Sequence, residues 1–229
     1  MDILSQLKGG LVVSCQPVDN GPLDKPEIVA ALAQAAVAGG AAGLRIEGVE
    51  NLKAVRPTVS VPIIGIVKSD LEDTPVRITV LADHAKALAE AGADIIAYDG
   101  TSRERPDSRE AVIAEIRKAG KLIMADCSSM DDAYFALEHK VEIIGTTLSG
   151  YTEETKDKGP EPDFALLRQF SELGAFVMAE GRFNTPALAA EAMSNGADSV
   201  TVGSALTRLE VMVEWFEKGV SEAYQRRGD

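Results

Sequence analysis

The sequence predicts one (β/α)8 TIM barrel, a parallel eight-stranded α/β fold, filling residues 1–229 as a single domain. Three observations carry that expectation. Apolar runs of strand length alternate with longer segments of helical period along the whole chain. Its 229 residues are the size of one such domain. The last two strand candidates end abruptly in glycine, a polar residue and a helix start, at Ala179-Glu180-Gly181-Arg182 and Val202-Gly203-Ser204. Such turns aim backbone N–H groups at a phosphate, and barrels of this kind commonly hold phosphate there.

The strand candidates are 11–16, 43–47, 62–68, 94–99, 122–127, 142–148, 175–180 and 199–203. Most are continuous apolar runs, as expected of strands buried on both faces in a parallel sheet. Helical segments fall between them at 26–38, 49–55, 76–91, 108–119, 130–138, 163–173, 186–194 and 205–225. One joint recurs, helix–Gly–strand, at Gly39-Gly40-Ala41, Ala91-Gly92-Ala93 and Asn195-Gly196-Ala197. Pro26, Pro75 and Pro186 suit first-turn helix positions. Strict alternation implies right-handed crossovers and a parallel sheet. An open doubly wound sheet is the structural alternative, disfavoured because no G-x-G-x-x-G follows the first strand.

Composition narrows the function. Hydrophobic residues make up 45% and charged residues 26%, so a large core is available and disorder is not expected. The net charge of −13 argues against nucleic acid and anionic membranes as partners. A small anionic substrate remains compatible, since a few Arg side chains set the local potential. No run approaches a membrane span, and Met1–Lys8 lacks the basic start of a signal peptide, so a cytoplasmic protein is expected. Cys15 and Cys127 read as buried reduced thiols. His84 and His139 lack partners at metal-ligand spacing, so no metal site is expected.

Chemistry in this fold sits at the C-terminal ends of the strands. There the sequence places Gln16, Arg45 with Glu47, Lys68, Asp99, Asp126, Thr146 with Thr147, Glu180, then Gly203 and Ser204, with Arg208 one helical turn on. Any one could be structural; the set suits a polar anionic substrate. Lys68 ends the apolar run Pro62–Val67, where burial and Arg45 would lower its pKa toward that of a general base. Lys68 and Glu180 could act as the two bases of an epimerase or racemase. A Schiff-base lysine is the rival on physical grounds alone, and a non-catalytic phosphosugar sensor is a third. The polar stretch 149–162 reads as a solvated loop, a lid, or both.

The runs Ser14-Cys-Gln16-Pro, Gly43-Leu-Arg45-Ile-Glu-Gly, Tyr98-Asp99-Gly-Thr-Ser-Arg103-Glu-Arg-Pro106, Gly145-Thr-Thr-Leu-Ser-Gly-Tyr151-Thr and Glu180-Gly-Arg182-Phe-Asn-Thr-Pro186 closely resemble the bacterial N-acylmannosamine-6-phosphate 2-epimerase family, from about Leu11 to Arg208. The resemblance implies a ribulose-phosphate-binding-barrel-like fold. It implies an isomerase that interconverts N-acetylmannosamine 6-phosphate and N-acetylglucosamine 6-phosphate in sialic-acid and amino-sugar catabolism, with no cofactor and as a homodimer. It implies Lys68 as base and Glu180 as acid. Gln16, Arg45, Asp126 and Arg208 are then substrate contacts, and Gly181, Arg182, Gly203 and Ser204 phosphate contacts. Trp215 and Phe216, adjacent on the last helix, cannot share one face; one is expected on the barrel, the other at a subunit interface or over a neighbouring helix.

Overall fold

The computed structural model describes residues 2–227. Strands β1 (Leu11–Cys15), β2 (Gly43–Glu47), β3 (Ile63–Ile66), β4 (Ile95–Asp99), β5 (Leu122–Asp126), β6 (Ile143–Gly145), β7 (Phe176–Glu180) and β8 (Ser199–Val202) form a closed parallel barrel in sequence order. β8 closes on β1 in the register Leu11↔Val200, Val12↔Thr201, Val13↔Val202. Helix α1 (Ile3–Leu7) precedes β1; α2 (Pro26–Ala38), α3 (Val49–Val55), α4 (Ala82–Glu90), α5 (Arg109–Lys118), α6 (Met130–Glu138), α7 (Phe164–Ser171) and α8 (Pro186–Ser194) fill the crossovers. Two helices follow β8, α9 (Ser204–Thr207) and α10 (Leu209–Gln225). Among the described residues no helix is long and apolar enough to cross a membrane.

The period-2 alternation of strand side chains divides the core in two. Val13, Cys15, Leu44, Ile46, Ile96, Tyr98, Ala125 and Val177 face outward and pack beneath the helices. Val12, Ile64, Ile66, Ile95, Met124, Ile143 and Met178 face inward and fill the barrel, with Leu7 of α1 packed against them from below. The same parity carries Gln16, Lys68, Asp99, Asp126, Thr147 and Glu180 to the inside at the top, because each lies an even number of residues from an inward apolar neighbour.

The repeated joints turn at Gly40, Gly92 and Gly196, each at positive φ. Pro26 and Pro186 open their helices, and Thr185 caps α8 by accepting from the Leu188 amide at 3.2 Å. Pro75 opens no helix. The expected helix over 76–91 begins only at Ala82, and the residues before it are not helical. Ile78 pairs antiparallel with Lys68, the Ser69 amide donates to Arg77 O at 2.9 Å, and the Asp99 amide donates to Ile78 O at 3.0 Å. The run Val76-Arg-Ile-Thr-Val80 alternates in the manner of a strand and wedges between β3 and β4, which pair directly only at Ile64↔Ile95 and Gly65↔Ile96. Thr79 is left-handed there at φ +46°, an unusual place for a β-branched residue. Two hydrogen bonds to Val67 hold it: its amide to Val67 O at 2.7 Å, and the Val67 amide to its Oγ1 at 3.4 Å. The last expected helix also breaks, at Arg208 (φ −109°, ψ 81°), separating α9 from α10.

Candidate active site

The polar strand ends open into a cavity of about 740 Å³ at the C-terminal face of the barrel. Gln16, Arg45, Lys68, Glu180, Gly181, Arg182, Gly203, Ser204 and Arg208 all line it. Asp126 is the exception among the expected site residues. It is fully buried, behind Arg45 rather than on the cavity wall.

Arg45 is the centre of the site. Its guanidinium is 1% exposed and reaches across the barrel from β2. Nη2 donates to Asp126 Oδ2 at 2.5 Å, and Nη1 to Asp126 Oδ1 at 3.0 Å and Glu180 Oε2 at 2.8 Å. Thr147 Oγ1 donates to Asp126 Oδ1 at 2.7 Å and lies 3.4 Å from Glu180 Oε2. Burial opposes the charge of Arg45, but Asp126 and Glu180 outweigh it and push its pKa up, so it stays a cation. One cation serves two carboxylates. The result falls on Glu180: burial and the charge of Asp126 push its pKa up to about 7 against the pull of Arg45 and Lys68. Its Oε1 accepts no hydrogen bond among the described residues and is left for the cavity.

Lys68 extends two residues beyond β3. Its amide donates to Glu47 Oε1 at 3.1 Å, which with the Ile78 bridge fixes the backbone. Its pKa is lowered by burial first, then by the charges of Arg208 and Arg45, with Asp19 and Glu47 opposing. The cavity thus holds a lysine whose proton is loosened and a carboxyl whose proton is retained longer than usual. Such a pair can take a proton from carbon and return one.

The two turns singled out in the sequence sit side by side. Gly181 lies at φ +104° and Arg182 at φ +66°, so the chain after β7 turns through two left-handed residues. Gly203 N-caps α9, whose first amides have no partner within the helix. Arg208 Nε donates to Gln16 O at 2.9 Å and Thr207 Oγ1 to Ser14 O at 2.6 Å, tying this turn to the end of β1. The Arg182 guanidinium itself points to the loop after β6, donating to Ser149 O at 2.8 Å and Glu161 O at 2.9 Å. Gly150 lies beneath it at φ +85°, which favours glycine, and a Cβ there would displace the guanidinium, 2.2 Å away at Nη1. The 149–162 loop is therefore tied near both ends and pinned by buried Thr152 and Thr155, while its Tyr151 lines the cavity. Pro75, Arg77 and Ile78 add a wall that the helical reading of 76–91 concealed. The strand-like alternation of Val76–Val80 was the signal for it. Trp215 also lines the cavity, although neither it nor Phe216 joins the hydrophobic core.

Residues 29–222 match the family described as "Putative N-acetylmannosamine-6-phosphate epimerase". The chain belongs to this family. A relative from Pasteurella multocida is 59% identical over 221 residues, covering 96% of each chain. One from Haemophilus influenzae is 56% identical over 222 residues, covering 97% of this chain and 96% of the relative. Both carry the name "Putative N-acetylmannosamine-6-phosphate 2-epimerase". Among solved structures, the N-acetylmannosamine-6-phosphate 2-epimerase from Clostridium perfringens superposes with a TM-score of 0.92 at 33% identity, covering 95% of this chain and 96% of that one. A thiamine phosphate pyrophosphorylase from Pyrococcus furiosus, at TM-score 0.62 and 19% identity, shares the fold.

Neither thiol takes part in the site. Cys15 and Cys127 are buried on the outward face of the strands, under the helices, and burial pushes Cys15 up to about 12 and Cys127 well above its usual range. A chromogenic disulfide reagent at pH 8 is expected to titrate neither thiol in the folded protein and both after denaturation. Rapid labelling of either one in the native state would contradict the burial.

Proposed function

We propose that this chain is an N-acylglucosamine-6-phosphate 2-epimerase, interconverting N-acetylmannosamine 6-phosphate and N-acetylglucosamine 6-phosphate in sialic-acid and amino-sugar catabolism. The reading takes the chain as one cytoplasmic barrel domain. The observation that carries it is Lys68 and Glu180 on one cavity, their pKa values pulled toward each other, in a member of this family.

Epimerisation at carbon 2 needs the proton beside the carbon 1 aldehyde of the open-chain sugar. Neutral Lys68 removes it. The resulting enolate is stabilised by the ammonium formed on Lys68. Protonated Glu180 delivers a proton to the opposite face, its free Oε1 being the donor, while Arg45 holds Oε2. Arg45 also supplies the positive charge that lets Glu180 ionise in the reverse direction. The phosphate end sits on the turns after β7 and β8, taking the amides of Gly181, Arg182, Gly203 and Ser204, with Gln16 and Arg208 alongside. Asp126 acts from behind Arg45, which it orients.

Proton NMR of N-acetylmannosamine 6-phosphate in D₂O with the purified protein tests the reading. The gluco epimer is expected without added cofactor, with deuterium entering carbon 2. No epimer and no exchange from folded protein would overturn it. Lys68→Ala is expected to lower turnover by about 10²- to 10⁴-fold, the usual weight of a general base, with inhibition by inorganic phosphate retained.

The active pair shares one proton, so kcat/KM should rise as pH increases through about 7, where Glu180 ionises, and fall again at higher pH as the Lys68 ammonium loses its proton. Below the lower limit both groups are protonated and no base is present; above the upper limit no acid is. Both reaction directions must show the same profile, because their ratio is the equilibrium constant. A flat profile between pH 5.5 and 8.5 would remove the pair from the mechanism.

We also infer a homodimer. Leu209, Val213, Phe216, Val220 and Tyr224 recur at helical spacing along one face of α10, and Phe216 and Tyr224 are 71% and 74% exposed. An apolar groove of about 540 Å³ between α8 and β8, lined by Leu11, Pro186, Met193, Val200 and Met212, lies beside it. A second copy would bury both. Sedimentation should give twice the chain mass, and Phe216→Glu should shift it toward monomer; a wild-type monomer at all concentrations would exclude the interface.

A further inference from the structure

The run Asp99-Gly-Thr-Ser-Arg103-Glu-Arg105-Pro106 has no part in the mechanism above, yet it forms a built arm on the cavity. Asp99 ends β4 and is 1% exposed. Its Oδ1 accepts from the Thr101 amide at 3.0 Å, Thr101 Oγ1 at 2.5 Å and Arg105 Nη2 at 3.0 Å, and its Oδ2 accepts from Arg103 Nη2 at 2.6 Å. The two arginines differ in what they leave over. Arg105 is nearly buried and commits all three nitrogens to its own loop, to Asp99 O, Arg103 O and Thr101 O as well as the carboxylate. Arg103 spends one edge only. Nε donates to Thr101 Oγ1 at 2.9 Å and Nη2 to Asp99, while Nη1 has no partner among the described residues.

Arg103, which keeps that unspent donor, lines the active cavity together with Asp99. Two guanidinium groups share the Asp99 carboxylate, which holds both in place. A guanidinium fixed along one edge is a pre-organised donor on the other, with little rotamer entropy left to lose on binding. Its place in the ring matters too. β4 stands four strands from β8, on the far side of the closed barrel from the turn assigned to phosphate.

We infer that Arg103 is a substrate-contacting, specificity-determining residue that donates Nη1 to an oxygen at the end of the sugar remote from its phosphate, with Asp99 and Thr101 as positioning residues. This rests on the epimerase reading. Arg45 differs from it: both of its terminal nitrogens already meet Asp126 or Glu180, and its unpartnered Nε is buried.

The test is steady-state kinetics of Arg103→Met, which keeps the stem and removes the donors, together with inhibition by inorganic phosphate. Loss of one hydrogen bond from a charged donor should lower kcat/KM by about 10- to 100-fold. Phosphate inhibition should stay within about twofold of wild type, since the probe reports only the far end. A kcat/KM within threefold of wild type overturns the inference. So does weakened phosphate inhibition in proportion to the lost kcat/KM, which would move Arg103 to the phosphate end. Should Arg103→Met fail to fold, Arg103→Lys carries the same test: an ammonium is one rotatable centre without the planar fork, and does not reproduce a donor fixed on the opposite edge, so wild-type kinetics there overturn the inference. Wild-type enzyme that makes no epimer would fail the epimerase reading itself, before Arg103 is in question.

Discussion

One buried cation organises the top of this barrel. Arg45 runs from β2 to carboxylates on β5 and β7 and is 1% exposed. A charge there is tolerated only because each terminal nitrogen meets a carboxylate oxygen. Removing it would leave Asp126 and Glu180 facing each other in a desolvated space, a loss of about 3–5 kcal/mol for a broken buried pair. The clamp is also asymmetric: it fully occupies Asp126 but only one oxygen of Glu180. Structural and reactive carboxylates are thereby separated although they share a partner.

The rest of the site follows from strand parity. Inward positions are apolar at the bottom, where Leu7, Val12, Ile64, Ile95, Met124 and Met178 pack together. The same positions become polar at the top. The lower layers exclude water beneath the charges, which strengthens every electrostatic effect above them. Burial is accordingly the largest influence on both Lys68 and Glu180, and it acts in opposite directions because one is charged when protonated and the other when not.

Two departures from regular barrel geometry also shape the cavity. The segment before α4 wedges between β3 and β4, accepts a left-handed Thr79, and steadies the backbone of Lys68 through the Ile78 bridge. The break at Arg208 turns the chain after α9 so that Arg208 joins the end of β1 and Trp215 reaches the cavity mouth. Both are backbone irregularities at the functional face, where strain is most often retained.

Much of this was legible in the chain. Helices over 26–38, 49–55, 130–138 and 186–194 and the strand over 43–47 were readable to the residue, because proline, glycine and cap residues mark their ends locally. The strand-end rule also found Gln16, Arg45, Lys68, Glu180 and Arg208, since period and topology alone place them on one rim. What it missed depends on the closed barrel. Residues 76–81 have helical composition nearby but pair with β3, a partner distant in space until the barrel closes. Where side chains turn also lay outside its reach: the Arg182 guanidinium is drawn to the carbonyls of the β6 loop and Asp126 to Arg45. The sequence by itself determined the fold, the rim and the residue types upon it, because those depend on periodicities of two and 3.6 residues. Only the tertiary structure decided which charges pair, which oxygen of Glu180 stays free and which edge of Arg103 is left over, because those depend on distances between strands far apart in the chain.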